Sequence, residues 1–136
     1  MDSNRDQPLY LQAGGEAALR ALIVDFYERV LADAMIGFHF RNADPERLVQ
    51  KELELALQLL GAPVRYSGKP LREAHAPHPI FGGQFMRRLQ ILKDCMEDHG
   101  LPQAVREAWE QHTLELRPLI TDNATTECRP ESPSEE

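Results

Sequence analysis

The chain has 136 residues, 42% of them hydrophobic and 27% charged, which suits one globular domain with a packed core. The formal net charge is −7, and residues 121–136, with five acids and one base, supply four of those charges. An acidic chain without a basic stripe is repelled by phosphate, so nucleic acid is excluded as a partner.

The N-terminal MDSNRDQP lacks the basic start and apolar run of a signal peptide. No apolar stretch approaches the roughly 20 residues of a membrane span, so no membrane association is expected. Of the two cysteines, Cys95 falls in a helical pattern and Cys128 in the polar end of the chain. Such a pair is a poor disulfide framework, and a cytoplasmic location follows as the expectation.

Residues 1–9 read as a short arm, and Gly14-Gly15 as a break. A helix is expected over 16–33, where Leu19, Leu22, Ile23, Phe26, Val30 and Leu31 recur at three- and four-residue spacing, with Tyr27 bordering that face. A short segment over 35–40 ends near Asn42. Asp44-Pro45 is a helix start, an N-cap acid followed by proline in the first turn. This helix runs to about Leu60 and stops at Gly61-Ala62-Pro63.

The stretch 64–70 reads as a loop, and residues 71–76 as one or two helical turns. Ala76-Pro77-His78-Pro79 then forbids a continuous helix. Gly82-Gly83 precedes a helix with Phe85, Leu89, Leu92 and Met96 on one stripe, ended by His99-Gly100. A last helix begins near Pro102 and carries Val105, Ala108, Trp109, His112, Leu116 and Leu119 on one face, with Pro118 bending or ending it. Residues 121–136 are polar and read as a disordered tail. The fold class is all-α, with four main helices and one broken connection.

Chemistry concentrates at a few positions. On the helix over 45–60, Leu48, Glu52, Leu55 and Leu59 share a narrow arc at 100° per residue, widened on one side by Val49, Leu53, Ala56 and Leu60, which puts Glu52 in the middle of an apolar stripe. A carboxylate there must be paired, hydrogen-bonded or protonated. Two readings stay open: a carboxyl facing a cavity or ligand with a raised pKa, or one satisfied by Tyr27, Arg88 or another core group. His75 precedes a proline break, where its ring can face a cavity, and His78 competes with it. His112 reads as a core histidine, His39 faces either way, and His99 sits solvated at a helix end. No zinc-site spacing, phosphate loop or nucleophile elbow occurs.

Gly14-Gly15-Glu16, Asp25-Phe26-Tyr27-Glu28-Arg29-Val30, Ala32-Asp33, Phe40, Leu60-Gly61-Ala62-Pro63, Tyr66-Ser67-Gly68 and Ala74-His75-Ala76, taken in order, resemble the truncated haemoglobins. The resemblance covers residues 10–120. It implies a globin-like two-on-two helical sandwich around haem b, with a short first helix and the glycine pairs as hinges. By that resemblance His75 is the proximal iron ligand, and Tyr27 the distal tyrosine that hydrogen-bonds an iron-bound ligand. Phe40 packs on the porphyrin, Leu48 and Glu52 are distal positions, and Phe85 is a proximal apolar contact. Leu71 and Arg88 complete the cofactor's surroundings.

The implied function is binding of oxygen or nitric oxide at haem iron. Nitric oxide dioxygenase-like or peroxidase-like turnover stays open and would need an external reductase. A globin-like sensor or interaction module, with atypical haem binding or none, is the alternative. Four departures from the family pattern stand out, one of them the glycine pair before Pro63, reduced to Gly61-Ala62. Glu52 replaces an amide or aromatic side chain. No large aromatic lies near Leu55. Arg88 stands where an apolar residue or tryptophan is common, poised to pair with a propionate or with Glu52.

Overall fold

The computed structural model describes residues 7–67 and 82–120, with the side chains of residues 119 and 120 excepted. The regular elements among these residues are helices, and no strand occurs among them. The helices are α1 (Leu9–Gln12), α2 (Gly15–Ala32), α3 (Pro45–Leu59), α4 (Gly82–Asp98), α5 (Gln103–Glu115) and α6 (Arg117–Ile120), with a 3-10 turn at Gly37–Phe40 before α3.

Gly14 and Gly15 adopt φ of 106° and 87°, a region that favours glycine, and the sharp turn they make separates α1 from α2. α1 docks back on the far end of α3, where the Tyr10 amide donates to the Leu60 carbonyl at 3.0 Å. α2 is the central element. Leu19, Leu22, Ile23, Phe26, Tyr27 and Val30 are all buried, at the spacing that puts them on one broad face. Leu31, expected on that face, is instead exposed at the edge of it.

At the end of α2 the Asp33 carboxylate accepts from the amides of Met35 and Ile36, reversing the chain. The 3-10 turn then comes back so close to α2 that a Cβ on Gly37 would lie 2.7 Å from the Leu31 carbonyl oxygen.

α3 starts as its sequence dictates, with Pro45 at the first helical positions and the Asp44 side chain accepting from the Glu46 amide at 3.1 Å. Its C-terminus closes with a Schellman pair of bonds, Ala62 to Leu57 at 2.9 Å and Gly61 to Gln58 at 3.2 Å, around Gly61 at φ 94°. α4 ends by the same device, with Leu101 bonded to Met96 and Gly100 to Glu97. The second glycine pair is no left-handed break: Gly82 and Gly83 are the first residues of α4, and Gly82 is buried.

The four long helices form two layers. α2 packs against both α3 and α4, and α5 closes the other side against α4 and α3. Trp109 of α5, at 1% exposure, sits in the one large apolar cluster with Phe26, Leu53, Leu92 and Met96. Pro118 does not bend a long helix. α5 ends at Glu115, and Pro118 falls in the separate turn of α6.

The expected apolar arc of α3 divides into two rows. Its core residues are Val49, Leu53, Ala56, Leu57 and Leu60, whereas Leu48, Glu52, Leu55 and Leu59 are only half-buried. The apolar arc of α3 is wider than one contact needs. The row through Leu53 packs on α2 and α5, and the row through Glu52 lies beside that contact. The half-buried row therefore flanks a wedge between α3 and α4, with α2 as its floor.

Candidate functional site

Three polar side chains from three helices meet in this wedge. Tyr27 stands on the buried face of α2, at 6% exposure. Glu52 comes from the flanking row of α3 and Arg88 from α4, one turn beyond Phe85. An Arg88 guanidinium nitrogen donates to Glu52 Oε1 at 3.0 Å, with side-chain exposures of 22% and 13%. Arg88 also lies close enough to Tyr27 for each to act on the other's proton affinity. Its guanidinium carbon sits 4.9 Å from the centroid of the Phe26 ring, a cation–π arrangement that holds the charge in place.

The surroundings are apolar. The Tyr27 ring meets Phe26 edge-on at 5.0 Å between centroids and Phe40 at 6.0 Å, which fixes where its hydroxyl points. Phe40 and Leu48 pack at the border of the main cluster. Phe85 and Leu89 are buried but lie outside that cluster, as a second apolar patch on α4. A groove between α2 and α3 has Tyr27 and Val49 among its lining residues, with Arg20, Glu28, Glu46 and Gln50 alongside them.

Electrostatics follow the geometry. Burial pushes the Tyr27 phenol up to about 12, and the Glu52 carboxylate adds to the effect while Arg88 opposes it. Tyr27 is therefore a neutral donor at any ordinary pH. Burial pulls the Arg88 guanidinium down, but the charge of Glu52 and the hydrogen bond to it oppose this, and the net effect raises its affinity for its proton. Burial, then Glu52 and Glu54, raise the Tyr66 phenol.

The segment carrying Tyr66 is tied down along α3. Glu54 accepts from the Ser67 amide at 2.9 Å and its hydroxyl at 2.8 Å, Lys51 reaches the Ser67 hydroxyl at 2.6 Å, and Gln58 accepts from the Tyr66 amide at 3.2 Å. The start of α4 is tied to the end of α2 by Arg87, which pairs with Asp33 at 2.7 Å, and to the 3-10 turn by Gln84, which bonds His39 at 3.0 Å.

Of the site residues expected from sequence, Tyr27, Phe40, Leu48, Glu52, Phe85 and Arg88 fall on the elements that border the wedge. Glu52 has Arg88 as its partner, one of the pairings its pattern left open. His75, Leu71 and His78 lie outside the described residues, as do residues 121–136.

Sequence reasoning missed a second polar group, on the opposite side of α2. Asp25 accepts both Arg29 bonds at 3.0 and 3.1 Å, and its Oδ2 lies 2.8 Å from His99 Nε2. Arg29 also pairs with Asp98 at 2.9 Å. His99 is thus tied to a carboxylate as well as standing at a helix end. The i, i+4 spacing of Asp25 and Arg29 was the available signal. Cys95 joins this group, its thiol 3.6 Å from Asp25 and 3.4 Å from the Leu22 carbonyl. Asp25, Cys95 and His99 have metal-ligand chemistry, but a cation there would sit against the Arg29 guanidinium.

An all-helical sandwich of these elements, in this order, is a globin-type fold. The bacterial-like globin family matches residues 8–121, and the chain belongs to it, with truncated haemoglobins as its relatives. It is 31% identical over 102 residues to the group 1 truncated haemoglobin of Tetrahymena pyriformis, covering 75% of this chain and 84% of that one. The ferric crystal structure of the T. pyriformis protein superposes with a TM-score of 0.76 at 28% identity, over 85% of this chain and 98% of that one. The oxygen-avid truncated haemoglobin of Bacillus subtilis gives 0.73 at 31% identity, over 85% and 100%. With the family comes haem-based binding of a diatomic ligand such as oxygen. Among the described residues no helix is long and apolar enough to cross a membrane.

Proposed function

We propose that this truncated haemoglobin holds haem b against the wedge between α3 and α4, with His75 as its proximal iron ligand and Tyr27, Glu52 and Arg88 on the distal side. The observation that carries this reading is the convergence of Tyr27, Glu52 and Arg88 within walls of Phe26, Phe40, Leu48 and Phe85. Those walls suit a flat apolar macrocycle, and the polar set suits a small ligand that gathers negative charge.

Haem iron supplies the bond to the diatomic ligand, oxygen or nitric oxide. The chain's own residues do the rest. Tyr27, held protonated by burial, donates its hydroxyl hydrogen to the ligand. Phe26 and Phe40 keep the phenol from swinging away. Arg88 anchors Glu52, so the carboxylate is not left as an uncompensated buried charge. Phe85 lines the proximal side, and the family resemblance adds Leu71 to the residues that would hold the haem.

Turnover of nitric oxide or peroxide draws electrons from a separate reductase, with Glu52 the group placed to exchange a proton. The unpaired Cys95, buried on α4, is consistent with a reducing cytoplasm.

The test is the visible spectrum. Protein reconstituted with haem is expected to show an intense Soret band that shifts with carbon monoxide. His75→Ala is expected to change the ferrous spectrum, and an unchanged one refutes the proximal assignment.

A further inference from the structure

Binding a neutral diatomic ligand needs one hydrogen-bond donor, and Tyr27 supplies it. The Arg88–Glu52 pair is more than that task requires. A mostly buried ion pair gains little stability over apolar side chains of the same volume. We propose that Arg88 and Glu52 form a charge-balanced receptor for a weak acid, taking its anion beside Arg88 and its proton on Glu52. The proposal rests on the distal placement of Tyr27 in the haem reading above.

The geometry supports each half. A guanidinium carries five N–H donors. One Arg88 nitrogen donates to Glu52 at 3.0 Å, the group also lies close to Tyr27, and its plane is steadied over Phe26. The donors left over, together with Tyr27, are what an anion in the distal space meets.

The pair as it stands is neutral. An anion arriving alone leaves one uncompensated negative charge in a low-dielectric wedge. A proton arriving with it, on a Glu52 carboxylate oxygen, restores neutrality and turns Glu52 from acceptor to donor. The step balances: the H–X bond breaks, its electron pair stays on X, the proton bonds to Glu52, and nothing is oxidised or reduced. Among the described residues, the charged and titratable groups that face Glu52 are Tyr27 from α2, Arg88 from α4 and Tyr66 from the segment after α3, with Arg47 and Glu54 of α3 acting on Tyr66. The ligand class is the small weak acids: hydrogen fluoride, hydrazoic acid, nitrous acid and hydrogen peroxide.

The test is a fluoride titration of the ferric holoprotein across neutral pH, where fluoride itself is fully ionised. The ferrous carbon monoxide spectrum of each form checks that haem is seated. In the parent, affinity is expected to rise about tenfold for each unit that pH falls, because one proton is taken up with each anion. Glu52→Gln is expected to lose that dependence and to bind fluoride at least about tenfold more tightly at the alkaline end, since Arg88 is no longer balanced. The double variant Glu52→Gln with Arg88→Met is expected to fall about 10- to 100-fold below Glu52→Gln alone. Hydroxide is itself an anion competing for the same place, so its midpoint is measured in each form by a fluoride-free pH titration and divided out of the fluoride affinities. A parent with the pH dependence of Glu52→Gln, or a Glu52→Gln variant no tighter than the parent, overturns the proposal while the haem reading stands. A parent with no haem spectrum overturns both.

Discussion

Replacing Arg88 by methionine keeps most of its apolar volume and removes its charge, leaving Glu52 without its partner. At the observed 3.0 Å, an effective dielectric near 20 gives about 5 kcal/mol of gross attraction between the two charges. Desolvating both ions offsets most of it. Breaking a fully buried pair from one side costs about 3–5 kcal/mol. The residual exposure of 22% for Arg88 and 13% for Glu52 lets water reach the orphaned carboxylate and places the cost near the lower end, about 3 kcal/mol. The cation–π contact with Phe26 adds at most about 1 kcal/mol.

The double variant Arg88→Met with Glu52→Leu removes both charges, and its stability is expected to lie within about 1 kcal/mol of the parent. Urea unfolding followed by circular dichroism measures all four corners of the cycle, with a coupling of at least about 2 kcal/mol expected. If Arg88→Met costs less than about 0.5 kcal/mol, or the double variant is the least stable of the four, the wedge is wet and the pair is an ordinary surface contact.

Three other outcomes follow from local geometry. Gly37→Ala brings a Cβ to 2.7 Å from one backbone carbonyl oxygen and 3.1 Å from another, so a loss of about 1–3 kcal/mol in urea unfolding is expected. His99, then Arg29, hold the Asp25 carboxyl below the usual aspartate range. Its contribution is therefore present above about pH 4 and lost as pH falls through the lowered value, so the stability gap between parent and Asp25→Asn is expected to narrow on acidification. Burial, then Asp25, raises the Cys95 thiol to about 12; in a Cys128→Ser background this thiol is expected to resist a disulfide reagent until urea unfolds the chain, and rapid native-state labelling contradicts its burial.

The helices were legible because their signals are local. Asp44-Pro45, Gly61 and Gly100 are capping residues that act within one turn, and the observed ends of α3 and α4 follow them closely. The row of α3 that reaches the core was not legible. Two adjacent apolar rows both fit the helical period, and only packing against α2 and α5 decides between them. Glu52 stood out because a carboxylate in an apolar stripe violates the burial rule, and Arg88 was among the partners its environment allowed. That Arg88, Tyr27 and Phe26 would converge on it depends on α2 and α4 lying side by side, which no single helix encodes. The tie between Asp25 and His99 spans 74 positions and was invisible for the same reason.

The central claim is that the Tyr27 hydroxyl and its charged neighbours face the iron-bound ligand. The infrared stretch of carbon monoxide bound to the ferrous protein reads this most directly, because a positive field at the ligand's oxygen lowers its frequency. A low frequency in the parent that rises in Tyr27→Phe is the predicted result. The same frequency in both proteins would place the tyrosine, and the pair behind it, away from the ligand.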